Sequence, residues 1–134
     1  GAEIVKLAHQ KNIKVVPVTG PSSILLSLMA SGMNGQNFAF NGYLPVKSHE
    51  RPRAITKLEE RAKKQRQTQI FIETPYRNNQ LIKDLLKTCS SSTLLCIAAN
   101  LTAENEFIQT KTVGEWKKGV PDLHKQPAIF LIGL

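Results

Sequence analysis

The sequence is poor in the residues that build cross-linked, metal-bound or membrane-embedded folds. It has two cysteines, Cys89 and Cys96, among 134 residues. Two thiols are too few for a disulfide framework, and neither has ligand neighbours at zinc spacing. The expectation is a pair of reduced, packed thiols in a cytosolic protein, with no metal site. His9, His49 and His124 are scattered, and no Ser/His/Asp arrangement can be built from them. Neither a Walker loop nor G-x-G-x-x-G occurs. No apolar run reaches the ~18 residues that span a bilayer. The longest, Ile24–Ala30, is interrupted by Ser27, so no membrane partner is expected. Acidic residues are also scarce, ten against eighteen Lys and Arg, for a net charge of +8. Such a balance favours polyanionic partners.

What is present is globular. Apolar residues make up 41% of the chain, enough to offset the entropy of ordering. The pattern alternates helix and strand. Glu3–Lys11 reads as a short helix with Ile4, Leu7 and Ala8 on one face. Ile13–Val18 is β-branched and predicts a buried strand. Thr19–Ser23 is a turn with a serine cap for a helix over Ile24–Ser31, closed by Gly32. Asn37–Tyr43 predicts a strand and Leu44–Arg51 a loop. A helix over Arg53–Lys64 follows, with Pro52 tolerated in its first turn. Gln69–Glu73 predicts a strand, Arg77–Thr88 a helix, and Thr93–Ala99 an apolar strand central in its sheet. Phe107–Lys111 predicts a strand antiparallel to it. Thr112 and Glu115 fit a capping box for a short helix to Lys118. Ala128–Ile132 is the last strand. About five helices and six strands in this order predict an α/β fold, an αβα layered domain around a mixed sheet.

Three stretches could carry chemistry. The Thr19–Ser23 turn lies at a helix start, where free amides can hold an anionic group or a hydroxyl. It can equally be an ordinary strand–helix turn. The segment Lys47–Arg66 holds eight basic against three acidic residues, most of the chain's excess charge. It reads as a phosphate-tracking RNA surface or as a solvated helix face with Glu60 and Lys64 paired. Glu73-Thr74-Pro75-Tyr76-Arg77 follows a strand, at the sheet edge where ligands of open α/β folds sit. Glu104 and Glu106 read as solvated loop acids.

Seven segments in register resemble a known family. They are Gly1-Ala2-Glu3-Ile4-Val5, Val16-Pro17-Val18-Thr19-Gly20-Pro21-Ser22-Ser23, Ser31-Gly32, Asn41-Gly42-Tyr43-Leu44-Pro45, Glu73-Thr74-Pro75-Tyr76-Arg77, Leu101-Thr102 and Pro127-Ala128-Ile129-Phe130-Leu131-Ile132-Gly133. The series resembles the C-terminal portion of the tetrapyrrole methylase superfamily of S-adenosylmethionine-dependent methyltransferases, nearest to its ribosomal RNA small subunit methyltransferase I branch. That branch carries similar P-G-P-S-A, G-F-L-P, E-S-P-H-R and R-E-L-T-K segments.

The resemblance implies the C-terminal domain of the tetrapyrrole methylase fold. Residues 1–34 would be the end of an N-terminal α/β domain plus a connection, and residues 35–134 the C-terminal methyltransferase domain. It explains the abrupt, capless start at Gly1 as a cut from something longer, which implies that the isolated piece is inactive. S-adenosylmethionine would lie between the two domains. Its contacts here would be Ser22, Ser23, Ile24, Ile72, Leu101 and Ala128, the last two largely through backbone. Substrate contacts would be Lys47, Arg51, Arg53, Tyr76 and Arg77. No catalytic residue is assigned. The implied function is methylation of RNA, at a ribose 2′-hydroxyl, by a cytoplasmic homodimer in rRNA processing. Ala99-Asn100 stand where the family has Arg-Glu, and Tyr76 where it has His. Two alternatives stay open: methylation of a tetrapyrrole or other small molecule, and a non-catalytic basic RNA-binding module.

Overall fold

Five strands form one mixed sheet: β1 (Phe38–Tyr43), β2 (Thr68–Ile72), β3 (Leu94–Ala99), β4 (Phe107–Thr112) and β5 (Ala128–Gly133). Their order is β1-β2-β5-β3-β4. The computed structural model describes residues 1–134. β1 and β2 are parallel, joined through helix α3 (Arg51–Gln65), and the other pairs are antiparallel. The remaining helices are α1 (Ala2–Gln10), α2 (Ser23–Ser31), α4 (Asn78–Thr88) and α5 (Val113–Trp116), with a 3-10 turn at Pro75–Arg77.

The strand period of two sorts the core into two layers. Phe71, Phe130, Ile132, Leu95, Ile97 and Ala99 face α3, α4 and α5, where they join Ile55, Leu58, Leu81, Leu85 and Trp116. Phe71 and Phe130 stack with ring centroids 6.0 Å apart. The buried Trp116 indole donates to the Leu95 carbonyl at 2.8 Å. Ile70, Ile129, Leu131, Cys96 and Ala98 point the other way and are covered by Leu28 of α2. The result is the expected αβα arrangement, with β5 and β3 apolar throughout because both of their faces are buried. α2 is a nine-residue helix whose two buried serines are satisfied locally. Ser27 donates to the Ile24 carbonyl at 2.9 Å and Ser31 to that of Leu28 at 2.7 Å.

Local signals place the ends. Gly32 closes α2 at φ +74°. The Thr112–Glu115 capping box forms in both directions: the Glu115 amide donates to the Thr112 hydroxyl and the Thr112 amide to the Glu115 carboxylate. Both thiols are free and buried. Burial pushes Cys89 up to about 12, with the Glu59 carboxylate adding to it.

Four expectations are corrected. Ile13–Val18 forms no strand, and Ile13, Val16 and Val18 are exposed. β-branched residues favour strands by packing on a pleated, half-buried surface. No strand of the sheet pairs with this segment, so that burial is missing and five strands form rather than six. The middle strand is β5, with β3 between it and β4. Both are apolar on two faces, and composition cannot rank two interior strands. On α3 the i,i+4 pair is Glu59–Lys63 at 3.5 Å, not Glu60–Lys64. Glu59 is drawn inward by the Thr93 hydroxyl and the Ser90 amide. Glu106 is not merely solvated: its carboxylate accepts from the Thr102 amide at 2.6 Å and shapes the loop after β3. No helix is long and apolar enough to cross a membrane.

Candidate functional site

The C-terminal ends of β2 and β3 and the start of β5 meet at one edge of the sheet, because β5 runs antiparallel to both. There they frame a pocket of about 270 Å³. Ser23, Ile72, Leu101 and Ala128 line it, together with Ala98, Asn100, Ala103, Pro127 and Ile129. Four of the six expected donor contacts thus converge from four separate segments. Ser22 is the N-cap residue of α2, next to Ser23. Ile24 packs against the sheet on the α2 side rather than lining the pocket.

The wall is mainly aliphatic, with few polar groups, as a small-molecule site requires. The Ser22 side chain makes no capping bond. The first α2 amides therefore stay open beside Ser23. The Leu101 amide has no acceptor within the chain. Asn100 sits in the left-handed region at φ +53°, which asparagine tolerates better than most residues. Its amide bonds the Pro127 carbonyl at 3.0 Å, and its side chain donates to Gln126 Oε1 at 2.8 Å. These two bonds fix the turn that presents Leu101. The donor set fits an adenosine-type ligand: apolar surface for a base, unpaired amides for its ring nitrogens and hydroxyls.

Beside the pocket lies a charge cluster. Glu73, at the end of β2, is buried and paired with the buried Arg51. Arg51 also donates to Asp84 at 3.2 Å and to the Pro45 carbonyl at 2.9 Å. The second Glu73 oxygen accepts from the Thr74 amide at 2.7 Å and from Arg77 Nε at 3.2 Å. Arg51, read from sequence as a substrate contact, is thus enclosed. It ties the loop after β1 to the end of β2. The Thr74 hydroxyl is buried without a partner. Lys47, Arg53, Tyr76 and Arg77 are exposed, as are Lys57, Arg61 and Lys64 along α3.

Sequence reasoning missed Gln126; Asn100 and Pro127 stand in segments it compared with the family, but it gave neither a site role. It also missed His124, whose ring lies 6.0 Å from that of Tyr76 although 48 residues separate them. No local signal announces that contact. No group of His, Cys, Asp and Glu is arranged to hold a metal ion.

No family model matches the chain. Curated relatives do. "Ribosomal RNA small subunit methyltransferase I" of Vibrio cholerae is 36% identical over 115 residues, covering 86% of this chain and 38% of the relative. The protein of the same name from Buchnera aphidicola subsp. Schizaphis graminum is 31% identical over 135 residues, covering 98% and 46%. The chain therefore spans less than half the length of these relatives. Among solved structures, the methyltransferase CobJ superimposes with a TM-score of 0.58 at 17% identity, covering 98% of this chain and 56% of that one. Cobalt precorrin-4 methyltransferase gives 0.57 at 16% identity, covering 98% and 57%. At such identities the structures speak for the fold alone. By sequence the chain is a relative of part of the ribosomal RNA small subunit methyltransferase I proteins, and by structure it carries part of the tetrapyrrole methylase fold.

Proposed function

We propose that this chain supplies one wall of an S-adenosylmethionine-dependent methyltransferase site that acts on RNA. The observation that carries the reading is the convergence of Ser23, Ile72, Leu101 and Ala128 on one pocket. At about 270 Å³ it lies just below the ~300–1,000 Å³ usual for ligand sites. A wall shared with further residues accounts for that size, and the relatives are more than twice as long as the matched region.

The cofactor supplies an electrophilic sulfonium methyl. The chain's residues need only hold and orient, and positioning of this kind is worth about 7–11 kcal/mol in favourable cases. Leu101 and Ala128 hold the base through backbone groups. The α2 amides and Ser22 meet hydroxyls or the carboxylate. The aliphatic wall excludes water. Lys47, Arg53 and Arg77 attract the polyanionic acceptor, a ribose hydroxyl in the finer form of the reading. The protein works as a cytoplasmic homodimer in this reading.

The test is an amide NMR titration of the chain with S-adenosylhomocysteine. Shifts centred on Ser23, Ile72, Leu101 and Ala128, weak in affinity and lost in Ala128→Trp, are expected. No shift at millimolar ligand, or shifts scattered elsewhere, would refute the reading. The basic face of α3 favours a second reading, RNA docking without catalysis. In that case RNA shifts α3 amides while the nucleoside ligand shifts none.

A further inference from the structure

Tyr76 is 70% exposed, yet it is not a loose side chain. It sits in a 3-10 turn between Pro75 and Arg77. The loop before β5 is fastened to that turn. The Lys125 amide donates to the Pro75 carbonyl at 3.1 Å. Asn78 donates to the Gln126 carbonyl at 2.6 Å and to that of Leu123 at 3.3 Å. Asn79 accepts from the Leu123 amide at 2.9 Å and donates to Asp122 at 2.8 Å. Asp122 also accepts from the His124 amide at 3.1 Å. These bonds bring the His124 ring edge-to-face against Tyr76, at 6.0 Å and 72°. The pair is an aromatic surface held in water by a hydrogen-bonded frame. The frame fixes the turn that carries Tyr76 and leaves the apolar face of its ring open to a partner.

Two cations flank the rings. Arg77 and Lys125 are exposed and adjacent in sequence to the two rings. Of the nearby carboxylates, Glu73 is paired with Arg51 and Arg77, while Asp122 keeps its charge and is turned toward Asn79 and the His124 amide. The pair lies on the same sheet edge as the pocket, since Tyr76 follows β2 and His124 precedes β5.

We propose that Tyr76 and His124 form a stacking platform for one base of single-stranded RNA, with Arg77 and Lys125 meeting the flanking phosphates. This deepens the RNA reading above and rests on it. Every base has a π-face, so such a platform is tolerant of sequence. Single-stranded RNA, with its bases unstacked, is the form that aromatic side chains capture.

The experiment is fluorescence anisotropy of the chain with a short labelled oligoadenylate, and with the same oligomer made abasic. Tyr76→Ala should weaken oligoadenylate binding about 5- to 150-fold, the loss of one stacked base. The salt slope should not change, because no phosphate contact is lost. Tyr76→Trp should restore the affinity. Lys125→Asn, chosen because Lys125 has φ +62°, should reduce the salt slope by about 0.7. The abasic oligomer should bind wild type and Tyr76→Ala equally. Equal affinity of wild type and Tyr76→Ala for oligoadenylate overturns the platform while leaving RNA binding intact. So does a Tyr76→Ala defect reproduced on the abasic oligomer. Failure of the wild type to bind RNA at low salt overturns both readings. Tyr76 is exposed, so the variants should keep the wild-type unfolding midpoint.

Discussion

Replacing Arg51 with methionine removes the centre of the buried charge cluster and keeps the volume of the aliphatic stem. Arg51 is 2% exposed and bonds Glu73, Asp84 and the Pro45 carbonyl. Removing one partner of a buried ion pair costs about 3–5 kcal/mol, because the other charge stays buried without compensation. Here Glu73 keeps the Thr74 amide and Arg77 Nε, and Asp84 is partly exposed. The expected loss is therefore at the lower end, about 3 kcal/mol. Against a typical total of about 5–15 kcal/mol that is a large fraction. At about 4 °C per kcal/mol for a domain of this size, the melting temperature should fall by about 12 °C. Urea unfolding followed by fluorescence of Trp116, the sole tryptophan and 1% exposed, reads this directly. Arg51→Lys should recover little, since one ammonium cannot reach three acceptors placed for a guanidinium fork. Adding Glu73→Gln to Arg51→Met should cost less than the sum of the single changes, by about 0.5–3 kcal/mol. A loss below about 1 kcal/mol for Arg51→Met, or strict additivity with Glu73→Gln, would refute the account of the cluster as one buried unit.

Other consequences follow from the same structure. Burial opposes the charge of Glu59, but the Thr93 hydroxyl, the Ser90 amide and Lys63 outweigh it and hold its carboxyl below the usual value of 4.5. Its stabilising contribution is thus fully present above that value and fades as pH falls through the lowered one, so Glu59→Gln should flatten the acid side of the stability profile measured by urea midpoint. The Cys89 thiol, pushed up to about 12, should resist Ellman's reagent in the native state and react only on unfolding; rapid native labelling would contradict its burial. Asn100→Ala should lose about 1 kcal/mol from the Gln126 bond and about 1–2 kcal/mol from left-handed strain, while Asn100→Gly should lose only the first. Equal midpoints for the two variants would remove Asn100 from the role of shaping the Leu101 turn.

Much of the architecture was legible because it is local. Gly32 at φ +74° and the Thr112–Glu115 box need only their immediate neighbours. The helix read over Arg77–Thr88 forms as α4, with Leu81, Ile82 and Leu85 buried and Leu86 partly so. The antiparallel pairing of β3 and β4 followed from the short break between them. The motif series led to the family, and the comparisons agree on the relatives and the fold. Ile13–Val18 shows the limit of that logic. Its propensity is for a strand, but a strand exists only where another pairs with it. Arg51 shows a second limit: within a run of basic residues nothing distinguishes the one that Glu73 and Asp84 draw inside.

The sequence by itself placed the helices and the five strands of the sheet, though it also read a strand at Ile13–Val18 that does not form, and it showed that the excess positive charge concentrates between Lys47 and Arg66. These depend on side-chain chemistry and on periods of two and 3.6 residues, which are written along the chain. The tertiary structure alone decided that β5 is the middle strand, that Asn100 and Pro127 join Ser23, Ile72, Leu101 and Ala128 around one pocket while Ile24 does not, and that His124 braces Tyr76. Those relations join residues dozens of positions apart. They are fixed by strand order and by the hydrogen bonds of loops, and neither leaves a periodic trace in the sequence.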